Sequence, residues 1–190
     1  TAVADAWELA LARLERAGAR ITHAPLEPLD KLAAIHTHGT LSNAEAWAWH
    51  RPYFPEQQDE YDPRVASRIM VGSRMNAADY IDLLNARQRW IGEMHRALAD
   101  YDAFLMPTLP VVAPEIAPLQ ASDEAFFAAN ALILRNPSLV NFLDGCAVSL
   151  PIHAAGSAPV GLSLVCPGGH DRRLLSLALA VEAALTRAAP

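Results

Sequence analysis

The chain has 190 residues, 52% of them hydrophobic and 19% charged, which suits one compact domain of roughly 100 to 200 residues with a sizeable core. That balance excludes the polar, charge-rich composition of disordered chains. Fifteen Lys and Arg against 21 Asp and Glu leave a net charge of -6, which speaks against a surface built to neutralise nucleic-acid phosphates.

In chain order, Val3, Trp7, Ala10, Leu11 and Leu14 recur at helical spacing, and Gly18 stands where a helix commonly ends in a left-handed residue. Residues 19–21 form a short extended run. Pro25 and Pro28 then precede an alanine-rich apolar segment, residues 29–49, expected as a helix broken at Gly39. Residues 51–63, with three prolines and a run of acids, are expected as a surface loop. Asn76 is placed to cap a long amphipathic helix with Tyr80, Leu83, Leu84, Trp90, Ile91, Met94 and Leu98 on one face.

Residues 103–106, an apolar run between Asp102 and Pro107, have the pattern of a strand buried on both faces. Four prolines (107, 110, 114 and 118) then force an extended loop. Helix is expected to resume over residues 122–134 and again after Pro137. Residues 147–151 and 160–165 are the best strand candidates and should pair as a hairpin. Gly168 and Gly169 break the chain before a last helix from Asp171 to Leu185. Short apolar strands interleaved with helices imply an α/β layered fold.

Little chemistry is complete in these residues. Among seven histidines, His36, His38 and His50 form the densest group, yet residues two apart on a helix project about 200° apart, which does not suit a shared metal. Cys146 and Cys166, with His153 or His170 as a base, would make a thiol nucleophile, but thiols flanked by apolar residues usually pack rather than react. They are expected as buried thiols, not a disulfide framework. Ser138, Ser149 and Ser163 lie in no Gly-x-Ser-x-Gly elbow. Residues 174–185 carry Ser176 and Glu182 and fall short of the roughly 20 residues of a membrane span. Residues 1–7 lack the pattern of a signal peptide. The expectation is a cytoplasmic protein without metal or cofactor.

Three segments nevertheless stand in an informative order: Tyr101 to Pro110, with Pro107-Thr108-Leu109-Pro110; Arg135 to Pro151, with Asn141 ahead of Ser149-Leu150-Pro151; and Ala158-Pro159-Val160-Gly161-Leu162-Ser163-Leu164-Val165 followed by a glycine turn and the closing helix. Together they resemble the C-terminal region of the amidase signature family, the serine amidases that include the A-type chain of tRNA-dependent amidotransferases. The second segment departs from the family in carrying Gly145-Cys146 at a proline step. The resemblance covers nearly the whole chain. It implies an α/β fold with a mixed sheet, to which residues 1–190 contribute a C-terminal segment with covering helices.

The resemblance also implies amide hydrolysis through a serine acyl-enzyme. The family's Ser, second Ser on a cis peptide and Lys are then expected upstream of this chain, because its single lysine, Lys31, is remote from any glycine- and serine-rich loop. No catalytic residue is assigned here, and the chain alone is expected to be inactive. The family likeness brings residues 62–72 and the start of the Pro107 loop near the acyl pocket, which makes Arg68 and Thr108 the substrate-contact candidates, Arg68 through a bidentate pair with a carboxylate. Leu134 stands about where the A-type amidotransferase chain has an acid that helps hold glutamine, which favours a general amidase over a glutamyl- or aspartyl-tRNA amidotransferase. The competing readings are a noncatalytic binding or assembly domain and a metal hydrolase using His36, His38 and His50. The expected partners are a small amide substrate, the upstream part of the same enzyme and a second copy of the chain, with no nucleic acid and no membrane.

Overall fold

The computed structural model describes residues 1–186. In chain order the elements are α1 (Ala2–Arg16), a 3-10 turn (Glu27–Lys31), α2 (Leu32–Ile35), α3 (Leu41–His50), α4 (Phe54–Gln57), a second 3-10 turn (Gln58–Glu60), α5 (Pro63–Gly72) and α6 (Ala77–Ala97). Then come β1 (Phe104–Pro107), α7 (Ile116–Ala121), α8 (Asp123–Leu143), β2 (Cys146–Pro151), β3 (Gly161–Cys166) and α9 (Asp171–Thr186). The chain divides into two compact units, one made of residues 1–24 with those from His95 onward, the other of Pro25–Met94.

The first unit is built on a three-stranded sheet of order β1-β3-β2, antiparallel throughout. Side chains alternate across a sheet, so Leu162, Leu164 and Cys166 of the central strand share a face with Val148 and Leu150. That face joins Ala10, Leu11 and Leu14 of α1 and Leu174 and Leu185 of α9 in one core. Leu162 and Leu164 are wholly inaccessible. The strand expectations hold to within one residue and the hairpin pairs as expected. β1 differs: only Met106 is buried, because among the described residues β1 is paired along one edge alone.

Two expectations of chain breaks are corrected. Pro137 does not interrupt its helix, since α8 runs unbroken through it to a left-handed cap at Asp144, φ 58°. The missing N–H costs one backbone bond, offset by burial of Val140 and Leu143 beyond it. Likewise the proline loop after β1 ends at Glu115, and Pro118 is absorbed into the first turn of α7, where its absent N–H has no helical partner to lose.

The second unit is helical. Asp62 caps α5, its Oδ1 accepting from the Arg64 and Val65 amides. Thr40 and Asn43 form a reciprocal capping box on α3, which restarts after Gly39 as expected. Residues 51–63 are not a plain loop: Phe54 is buried against Ala66 and Ile69, and this burial anchors the short α4, with Pro55 tolerated in its first turn. Asn76 caps α6 through Oδ1, at 2.8 Å from the Ala78 amide and 3.0 Å from that of Asp79. On α6, Trp90 is buried and its Nε1 donates to Pro28 O at 2.6 Å.

Gly72 lets α3 and α5 cross closely, since a Cβ there would collide with the Asn43 carbonyl and come within 2.7 Å of Trp47 Cβ. Gly72→Ala should therefore destabilise the protein by about 2 kcal/mol or more through overpacking, whereas Gly156→Ala, with open space around it but φ +79°, should cost about 1 kcal/mol of backbone strain. Urea unfolding of both variants checks the order.

Candidate functional site

The β1-β3-β2 register creates one polar cluster on the face opposite the apolar core. Thr108 follows β1 and lies opposite Gly161, to whose carbonyl its amide donates at 2.7 Å. Ser149 of β2 lies opposite Ser163 of β3. The Thr108 Oγ1 is 2.5 Å from Ser149 Oγ and 2.9 Å from Ser163 Oγ. Hydroxyls from β2, β3 and the residue that follows β1 thus converge. Gly161 is what permits it: a Cβ there would be 2.5 Å from Thr108 Oγ1 and 2.6 Å from Ser149 Oγ. The outer strands reach toward each other through the space an absent side chain leaves above the middle one.

The cluster grades from buried to exposed. Ser163 is only 5% exposed, Thr108 is half-buried and Ser149 is exposed. Each hydroxyl is both donor and acceptor, and three hydroxyls hold three protons for two mutual contacts, which leaves the exposed end able to bond a ligand. Asn136 of α8 braces the same corner, its Nδ2 donating to Pro107 O at 2.7 Å. Among the described residues no carboxylate or lysine is bonded to the trio, so it can orient a polar group but cannot by itself activate a nucleophile.

Of the two substrate-contact candidates, Thr108 belongs to this cluster. Arg68 is exposed on α5 of the other unit; its carbonyl accepts from Asn43 Nδ2 at 3.1 Å, and among the described residues no carboxylate pairs with its guanidinium. Lys31 is engaged by Glu93, 2.8 Å from each carboxylate oxygen. Leu134 is half-buried in α8 and Ser138 exposed.

His50, His153 and His170 are engaged away from this cluster. His50 Nδ1 is 2.9 Å from the Tyr61 hydroxyl, with the rings edge to face. Burial lowers the His36 pKa below its ordinary value, which favours the neutral ring. Among the described residues no group of three or more His, Cys, Asp or Glu is placed to hold a metal. His153 Nδ1 faces Val160 O at 3.3 Å and His170 Nδ1 faces Pro167 O at 3.1 Å. The Cys146 thiol donates to Pro167 O at 3.5 Å, so the structure shows neither histidine bonded to a thiol.

The parts played by Ser149 and Ser163 escaped sequence reasoning, which tested serines only against a nucleophile elbow. The signal was present in the hairpin: once 151 pairs with 161, 149 must face 163.

Thr108→Val keeps the side-chain shape and removes the shared partner, leaving the buried Ser163 hydroxyl unsatisfied at a cost of about 1–3 kcal/mol. Ser149→Ala, at the wet end, should cost under about 0.5 kcal/mol. Equal losses in chemical denaturation would contradict the shared-hydroxyl geometry.

Comparison with known proteins agrees with this architecture. The family described as Amidase matches residues 1–175. The chain is 31% identical over 182 residues to 2-amino-5-chloromuconic acid deaminase of Comamonas testosteroni, covering 95% of this chain and 39% of that protein. It is 29% identical over 145 residues to the A-type chain of glutamyl-tRNA(Gln) amidotransferase from Streptococcus equi subsp. zooepidemicus, covering 74% of this chain and 29% of that one. A crystal structure of an amidase superposes with TM-score 0.78 at 26% identity over 95% of this chain and 41% of its own. An allophanate hydrolase of Kluyveromyces lactis, at 23% identity, shares the fold with TM-score 0.82 over 97% of this chain and 30% of its own. The chain thus spans about two fifths of the length of the deaminase, and less of the amidotransferase chain.

Proposed function

The chain belongs to the amidase family, and from that premise we propose that it is part of an enzyme that hydrolyses a carboxylic amide through a serine acyl-enzyme. The family match over residues 1–175 carries this reading. In the proposed reaction a serine attacks the amide carbonyl, the amine or ammonia leaves, and water releases the acid. The Ser, second Ser and Lys that perform it are assigned upstream, to the length of the relatives that this chain does not span. In support, Lys31 is neutralised by Glu93, and among the described residues the three clustered hydroxyls have no base.

The role left to this chain is substrate contact. Thr108, held by Ser149 and Ser163, presents a neutral hydroxyl to the substrate's polar atoms. Arg68 presents a guanidinium suited to a carboxylate. The Arg68 chemistry suits a substrate that carries a carboxylate, and the Comamonas relative is named for an acid. A second reading, the A-type chain of a tRNA-dependent amidotransferase, draws on the Streptococcus relative; the apolar Leu134 favours the amidase. The upstream part would also cover apolar surface such as Leu175 and Leu179, which are 57% and 69% exposed on α9.

In the full-length enzyme, Arg68→Ala should lower kcat/KM about 10- to 100-fold on amides that carry a carboxylate, the loss of one charge-assisted contact. Neutral amides should be unaffected. Equal values on both substrate classes would remove Arg68 from the site.

A further inference from the structure

Cys146 and Cys166 are the two cysteines of the chain, both free thiols, and neither takes part in the function proposed above. They are direct cross-strand partners, the first residue of β2 against the last of β3. Ile152 N–H donates to Val160 O at 2.9 Å, which marks 152/160 as a hydrogen-bonded pair. Alternation along an antiparallel ladder then makes 146/166 a hydrogen-bonded pair as well. Such pairs hold their Cα atoms about 5.5 Å apart, inside the roughly 4.4–6.8 Å that a disulfide spans. Both side chains point to the same face, since they are opposite one another.

We propose that Cys146 and Cys166 form a reversible intrachain disulfide, closed by exchange with a small aliphatic disulfide and reopened by its thiol. Cys146 is half-exposed and Cys166 is 2% exposed, which sets the order of events. The Cys146 thiolate attacks one sulfur of the small disulfide, forming a mixed disulfide and releasing one thiolate, which takes up a proton. Cys166 Sγ then loses its proton and attacks Cys146 Sγ, releasing the second small thiol. Two protein thiols are oxidised and one disulfide is reduced to two thiols. Burial raises the Cys166 thiol's pKa, which lowers the fraction of thiolate available for the second step.

In the reduced form the Cys166 thiol donates to Asp102 O at 3.3 Å and Cys146 to Pro167 O at 3.5 Å; both must rotate away from these carbonyls. Directly opposed Cβ atoms in such a ladder lie about 4.5–5.5 Å apart, against about 3.5–4.5 Å in a disulfide. A hydrogen-bonded pair lies at the wide end of that range, so closure draws the ladder's end together by about 1 to 2 Å. A bond formed under that strain is readily reduced, as expected of a reversible link rather than a permanent staple.

The test treats the folded full-length protein with oxidised glutathione and follows it by peptide mass spectrometry. The expected product has the peptides holding Cys146 and Cys166 linked to each other within one chain, and is reopened in full by reduced glutathione. Cys166→Ser should halt at a stable glutathione adduct on Cys146, and Cys146→Ser should leave Cys166 unmodified until denatured. A wild-type chain that halts at the mixed disulfide, links two chains, or reacts only when unfolded would overturn the proposal. The wild-type result decides even if a variant fails to fold.

Discussion

The register between β2 and β3 is the constraint on which the rest of the first unit depends. Pairing Pro151 with Gly161 sends Leu150, Leu162 and Leu164 into the core with α1 and α9 and, by the same alternation, sends Ser149 and Ser163 to the other face. A slip of one residue would exchange the two sets, taking three leucines out of the core with α1 and α9 and placing hydroxyls there without partners. Burial of three leucines at roughly 1.5–3 kcal/mol each far outweighs the net gain from one hydroxyl contact, about 1 kcal/mol. The apolar face therefore fixes the register, and the polar cluster follows from it.

Gly161 shows how backbone and site are joined. It sits in the central strand where the outer strands need room above it, and its missing side chain lets Thr108 and Ser149 meet. The hydroxyls gain definition from a scaffold that is dry on its far side and wet at Ser149. That gradient suits a contact point for a polar ligand, held by rigid strands, better than it suits a nucleophile, which needs a base within reach.

Much of this was legible in the residues. The three strands, the hairpin, the Gly39 break, the Asn76 cap and the last helix follow from periodicity and turn chemistry, and the order of the three segments pointed to the amidase family. Helix α4 and the passage of α8 through Pro137 were not legible, because each depends on burial of Phe54 or of Val140 and Leu143 by residues distant in sequence. Thr108 was reached through the family likeness. Its partners were missed because a hydroxyl cluster has no linear motif; it exists only once register brings residues 108, 149 and 163 together. Arg68 was named for its chemistry, and its exposed guanidinium on α5 leaves that chemistry available.

The central claim is that these residues orient a substrate while a serine outside them carries the acyl group. The most direct measurement is to react the full-length protein with an ester or amide substrate, quench it in acid and locate the acyl adduct by peptide mass spectrometry. An acyl group on a serine outside residues 1–190 is the expected result. An adduct on Thr108, Ser149 or Ser163, or substrate turnover with no acyl-enzyme at all, would contradict it.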